Sequence, residues 1–228
     1  MKENTPILGG LPAIIRNDHG IYLGDLVAYF RAVFKKAQNL NHPYHNFRHM
    51  FHVVWLAYQA CSFYRGQLTT RERRNLLIAA MFHDFDHSGI MGDDDLNIAR
   101  AIRCLEKYIM PGDVEYKTQI YDLIRATEYP YRVTISQVSL SGWILRDADL
   151  SQVFSVAWIQ QVVFGLAREW SRPPLEILSM QSGFIDKLKY HTEWARATFS
   201  PDDLEAKARE ARELLVLLEP LQGEPAKA

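Results

Sequence analysis

In "RERRNLLIAAMFHDFDHSG", residues 71–89, the apolar run NLLIAAMF ends in two histidines and two aspartates within five positions. Thr69 and Glu72 have the spacing of a capping box, so the segment reads as a helix that starts there and carries its apolar run into His83-Asp84. Either the polar end is an ordinary helix terminus, with Asp84 and Asp86 capping the next turn, or it is part of a metal site. Imidazole nitrogen with carboxylate oxygen suits a borderline-to-hard divalent ion such as zinc, manganese, iron or magnesium. A carboxylate can bridge two ions and an imidazole cannot, which makes Asp84 the natural bridge of a dinuclear centre with ions about 3.5–4 Å apart.

Helical periodicity continues on both sides. "GDLVAYFRAVFKKAQ" puts Leu26, Tyr29, Phe30, Val33 and Phe34 on one face and Arg31, Lys35 and Lys36 on the other. "NHPYHNFRHMFHVVWLAYQACSFY" is predicted to be helical to about Tyr64, with Pro43 in its first turn. "DDDLNIARAIRCLEKYIM" opens on acids and stops at Pro111-Gly112, and a further helix covers roughly 114–126. "DADLSQVFSVAWIQQVVFGLAREW" reads as one long buried helix starting near Gln152 and ended by Arg172-Pro173-Pro174. "PLEILSMQSGFIDKLKYHTEWARATF" supplies one or two more, and Ser200 caps a last helix that Pro220 stops. "YRVTISQV" is the only short strand candidate. The expected fold is all-α, a compact helical bundle forming a single domain over residues 1–228.

Apolar residues make up 48% and charged residues 23% of the chain, the balance of a globular protein. The net charge of −1 provides no field to attract polymeric nucleic acid or an anionic membrane. No signal-peptide core, and no window of about 20 apolar residues, is visible. Cys61 and Cys104 lack metal-type spacing and read as buried thiols, so the expected location is the cytoplasm.

Four of the eight histidines fall within residues 42–52, and two more are His83 and His87. On a helix, His45, His49 and His52 share a stripe with the apolar Val53, Val54 and Leu56. "LRDADLSQVF" offers a third group, with Asp147 and Asp149 at the start of the long apolar helix, either of them able to reach the interior.

Taken in order, "YHNFRH", "HDFDHSG", "IRATEYP", "DADLS" and "MQSGFID" resemble the motifs of HD-superfamily metal-dependent phosphohydrolases. More narrowly, they resemble the catalytic domain of the 3′,5′-cyclic-nucleotide phosphodiesterases, as islands across roughly residues 40–195. The resemblance implies hydrolysis of a cyclic nucleotide to a 5′-monophosphate by a hydroxide bridging two divalent metal ions. It makes His49, His83, Asp84 and Asp149 the metal ligands, His45 the general acid, and His87 an outer residue near the attacking water. It also places Gln181 on the purine edge, Phe184 on its face and Tyr44 beside the phosphate. The implied partner is a small phosphoester. Hydrolysis of another phosphoester, such as a nucleoside monophosphate, and a non-catalytic metal or nucleotide sensor are the competing readings.

The chain departs from that pattern at several places. Arg146 precedes Asp147-Ala148-Asp149 where the family has His before Cys-Ala-Asp, His52 stands for an Asp, and Glu128 replaces the Asp of "ATD". "DDDLNIARA" takes the place of a Glu-Asn-His element.

Overall fold

The structure is a computed structural model that describes residues 26–131 and 137–218. Among the described residues it is all-helical. The α-helices are α1 (Val27–Lys36), α2 (Phe47–Phe63), α3 (Thr70–Phe82), α4 (Asp94–Tyr108), α5 (Lys117–Ala126) and α6 (Leu140–Leu150). They continue as α7 (Phe164–Glu169), α8 (Pro174–Ile185), α9 (Glu193–Thr198) and α10 (Pro201–Leu218). The strand candidate lies largely outside the described residues, as do the N-terminal segment and Pro220.

Helix α3 is the centre. Every residue from Arg73 to Phe82 is buried, because α2, α5 and α6 pack around it with α1 and α4 beside them. A helix apolar on all sides has no stable place except a core. The Thr69–Glu72 capping box forms in full: the Thr69 hydroxyl oxygen accepts the Glu72 N–H, and the Glu72 carboxylate accepts the Thr69 N–H.

Three local expectations are corrected. Pro43 does not occupy the first turn of α2. Asn46 caps that helix instead, its side-chain oxygen accepting from the N–H groups of Arg48 at 2.8 Å and His49 at 3.3 Å. Asn is the stronger capping residue, so the helix begins at Phe47 and His45 lies before it, off the expected stripe. Phe34, placed on the buried face of α1, is 57% exposed and packs against Phe30 and Phe47 at the surface. Cys61 is buried, but Cys104 is only half-buried; both are free thiols.

The long helix expected after Gln152 is broken. Leu140–Phe154 and Ile159–Glu169 meet at 105°. The Ser151 hydroxyl donates back to the Asp147 carbonyl, Ser155 takes an extended conformation, and the chain restarts through one π-helical turn at Ile159–Val163. Hydroxyl side chains that bond nearby backbone offer the chain this alternative to a continuous helix. Asp147 and Asp149 therefore sit in the last turns of α6 rather than at the start of a helix. Among the described residues no single helix is long and apolar enough to cross a membrane.

Asp113, 1% exposed, ties α1 and α3 to the 3₁₀ turn at Pro111–Tyr116. It accepts hydrogen bonds from Tyr29 Oη at 2.7 Å, from Arg74 Nε and Nη2 at 2.8 Å each, and from Arg71 Nη1 at 2.6 Å. Burial alone would raise its pKa, but these donors, Arg74 foremost, hold it below the usual carboxylate range. Its contribution is therefore complete above the unfolded carboxylate pKa and is lost as pH falls through the lowered folded value. Asp113→Ala should cost about 3 kcal/mol by leaving buried cationic groups short of their counter-charge. The corresponding fall in Tm is about 6–12 °C for a chain of this length, measurable by differential scanning calorimetry at neutral pH.

Candidate active site

Because α3 is buried to its last residue, the two residues that follow it emerge inside the protein. The His83 ring Nδ1 donates to the Ala80 carbonyl at 2.9 Å, which leaves Nε2 as a lone pair facing inward. The Nε2 atom of His49, from the first turn of α2, lies 3.4 Å from it. Asp84 Oδ2 is 3.2 Å from His49 Nε2 and 3.4 Å from His83 Nε2. Asp149 Oδ1, from α6, is 3.0 Å and 3.6 Å from the same two atoms. Four donor atoms from three buried helices thus converge on one point.

Their electrostatics state what that point requires. Burial would lower His49, but the carboxylates of Asp149 and Asp84 outweigh it and raise it to about 9. His83 is raised well above its ordinary value by the same acids, against burial. Burial pushes Asp84 and Asp149 up, and the imidazoles pull both down, Asp149 to about 2. The cluster therefore demands positive charge at its centre. Asp84 Oδ2 is buried without a hydrogen-bond partner, an expensive state that a cation would relieve. The imidazole nitrogens of His49 and His83 and an Asp149 oxygen, all within 4.8 Å of one another, form a suitable donor set for a divalent ion, with Asp84 Oδ2 beside both nitrogens.

A second group faces the first. His45 precedes α2, and its Nδ1 bonds Glu169 Oε1. The other carboxylate oxygen of Glu169 accepts the N–H groups of Tyr44 at 2.8 Å and His45 at 3.1 Å. The Glu169 side chain is 3% exposed and its carboxyl is lowered to about 2: burial would raise it, and the bond to His45 is foremost among the contacts that lower it. Gly165 allows this approach. A Cβ there would lie 2.9 Å from the Pro43 carbonyl oxygen and 3.3 Å from Tyr44 Cβ, so only glycine lets α7 come close enough for Glu169 to reach the loop.

The His87 ring stacks on that of His45, with centroids 3.6 Å apart and 17° between planes. Burial, then the neighbouring His45, lowers His87 to about 3, so it is neutral. Gly89 N–H donates to its Nδ1 at 3.0 Å, and Asn97 Nδ2 lies 3.0 Å from its Nε2. Asn97 is oriented by its own oxygen, which accepts from Ser88 N–H and Arg100 Nη1.

Tyr44, His45, His49, His83, Asp84, His87, Asp149, Gln181 and Phe184 all line one cavity of about 410 Å³. The nine residues singled out in the sequence thus come together. Gln181 and Phe184 share a face of α8, and Tyr44 lies against His49 with ring centroids 5.0 Å apart. His52 is not among the lining residues. Asp147, the other acid of "DAD", is turned away: it is fully buried and accepts from the N–H groups of His191 and Thr192 and from the Thr192 hydroxyl. Asp86 is structural, with φ of 59° and a carboxylate accepting the Gln38 N–H at 2.8 Å.

Four residues of the site escaped sequence reasoning. Glu169 looked like the tail of a buried helix, and its only signal is an acid one turn after Gly165 in an apolar run. Asn97 and Asp94 lie in the segment that departs from the family pattern. Asp94 accepts the Tyr129 N–H and is raised by burial to about 6. Gln152, 3% exposed, donates to Gln161 Oε1 at 2.7 Å while its own Oε1 has no partner.

Asp84→Ala removes an oxygen that lies within 3.4 Å of both imidazoles. Bound zinc or manganese, measured by inductively coupled plasma mass spectrometry after loading and desalting, should fall to background. Asp147→Ala should lower Tm but retain the metal.

A search of curated proteins finds no match for this chain. The family model described as 3′5′-cyclic nucleotide phosphodiesterase matches residues 44–102. That segment contains Tyr44, His45, His49, His83, Asp84 and His87, and ends before Asp149, Gln181 and Phe184. Over residues 44–102 the chain is therefore similar to the 3′,5′-cyclic nucleotide phosphodiesterases.

Proposed function

We propose that the protein is a metal-dependent phosphodiesterase that hydrolyses 3′,5′-cyclic nucleotides to 5′-monophosphates in a single HD-type domain. The observation that carries this reading is the shared cavity, where the His49/His83/Asp84/Asp149 cluster faces the Glu169-supported His45.

Divalent cations held by His49, His83, Asp84 and Asp149 would supply Lewis acidity toward phosphoryl oxygens and make a water acidic enough to attack near neutral pH. The chain's own residues do the rest. Addition of water to phosphorus breaks the bond to the 3′-oxygen, which must leave with a proton. His45 gives it from Nε2, since Nδ1 is committed to Glu169. Help of this kind is typically worth about 10²–10⁴-fold. Glu169 holds the ring and its backbone in place, and the neutral His87 packs flat against it without competing for charge. On the far side, Phe184 offers a face for a planar base and Gln181 an amide for its edge. The unpartnered Gln152 oxygen adds a second hydrogen-bonding edge. One freely turning amide can serve adenine or guanine alike.

Protein loaded with Mn²⁺, Mg²⁺ or Zn²⁺ should release 5′-AMP or 5′-GMP from the cyclic nucleotide, and Gln181→Ala should raise KM for it. The family match stops before Gln181 and Phe184, so a phosphohydrolase for another small phosphoester is the second reading. Turnover of a nucleoside monophosphate but not of cyclic nucleotides, with Gln181→Ala silent, would establish it instead. Nucleotide binding without any turnover in metal-replete protein would point to a sensor.

Glu169→Gln tests the positioning role. It should lower kcat by about 10–100-fold, a part of what general acid catalysis contributes, with KM and bound metal nearly unchanged. A purely structural Glu169 would instead show a fall in Tm with kcat intact.

A further inference from the structure

A second cavity, of about 460 Å³, lies back to back with the first and shares His87 as a wall. Helix α4 contributes Arg100 and Arg103, one helical turn apart on the same side, and Cys104 beside them. The opposite wall is Gln38, His42 and Ser88. Asp86 also borders it, but its carboxylate is already engaged, accepting the Gln38 N–H at 2.8 Å and the Cys104 Sγ–H at 3.4 Å. His42 Nδ1 is buried and has no hydrogen-bond partner.

We propose that this cleft is an oxyanion-binding site, taking a phosphate group, and that its occupancy reaches the catalytic cavity through Arg100, Asn97 and His87. Guanidinium groups match the geometry of phosphate oxygens and bind them through paired N–H donors. Two arginines against one engaged aspartate leave a net positive charge, which fits a single phosphate rather than a polyphosphate. The volume exceeds what a bare phosphate fills, leaving room for an organic residue.

The link to the catalytic cavity is a chain of contacts. Arg100 Nη1 donates to Asn97 Oδ1 at 2.8 Å, and Asn97 Nδ2 meets His87 Nε2 at 3.0 Å. His87 in turn stacks on His45. An anion competes with Asn97 for Arg100, loosens the groups that fix His87, and so lowers kcat.

Cys104 provides a readout independent of any activity, with the buried Cys61 as internal control. Alkylation of Cys104 by iodoacetamide at alkaline pH, followed by mass spectrometry on metal-loaded full-length protein, should slow several-fold in inorganic phosphate. Sodium chloride at equal ionic strength should not slow it. In Arg103→Ala, an exposed position outside the catalytic cavity, the ratio of rates with and without phosphate should return to one. Equal protection by chloride, or unchanged protection in Arg103→Ala, overturns the site. A nucleoside 5′-monophosphate protecting at lower concentration than phosphate identifies an organic phosphate as the ligand, and equal potency identifies the free ion.

The effect on turnover rests on the proposed phosphodiesterase activity. Phosphate should lower kcat in the wild type but not in Arg103→Ala, while any competition at the metal site persists in both as a rise in KM. An equal fall of kcat in the two proteins overturns the coupling. Absence of turnover with every cyclic nucleotide would count against the activity, and the labelling result would still decide the site.

Discussion

The structure depends on a carboxylate–imidazole cluster enclosed by helices that have no surface to retreat to. His49, His83 and Asp149 are held within 4.8 Å of one another, with Asp84 beside both imidazoles, by α2, α3 and α6, which pack together in the core. Without a cation the acids must be offset by protonated imidazoles, which is the direction of all four pKa shifts. Burial normally penalises such charges, so the packing that creates the cluster also makes it a place where a cation would be favoured.

The core of this arrangement was legible because the relevant signals are local. The capping box at Thr69 sets the start of α3, and the absence of any polar face on NLLIAAMF dictates that its end is interior. His83 and Asp84 follow directly from that. The pairing of Gln181 with Phe184 is likewise a matter of helical spacing, and both reach the cavity.

What was not legible is tertiary. Pro43 and Asn46 competed to start α2, and the stronger cap moved the start by one turn. His45 was thereby freed from the helix, and a loop histidine can be met by a carboxylate that a helical one would not reach. The sharp bend between α6 and α7 brings that carboxylate, and it arises from Ser151 and Ser155 in a stretch whose hydrophobicity alone favours an unbroken helix. Asn97 is a similar case. In sequence it marks a departure from the family pattern, whereas in space its amide packs against the far nitrogen of His87.

These origins divide the site into two halves of different character. The metal side is built from the ends of long core helices, where moving a ligand means repacking the bundle. The acid side comes from a loop and from the six-residue helix that carries Glu169, with Asn97 and Arg100 packed behind His87. The halves are joined where His45 lies on His87. On the proposed reading, the proton donor is thus positioned by short elements and side-chain bonds, and the ion by the ends of packed helices.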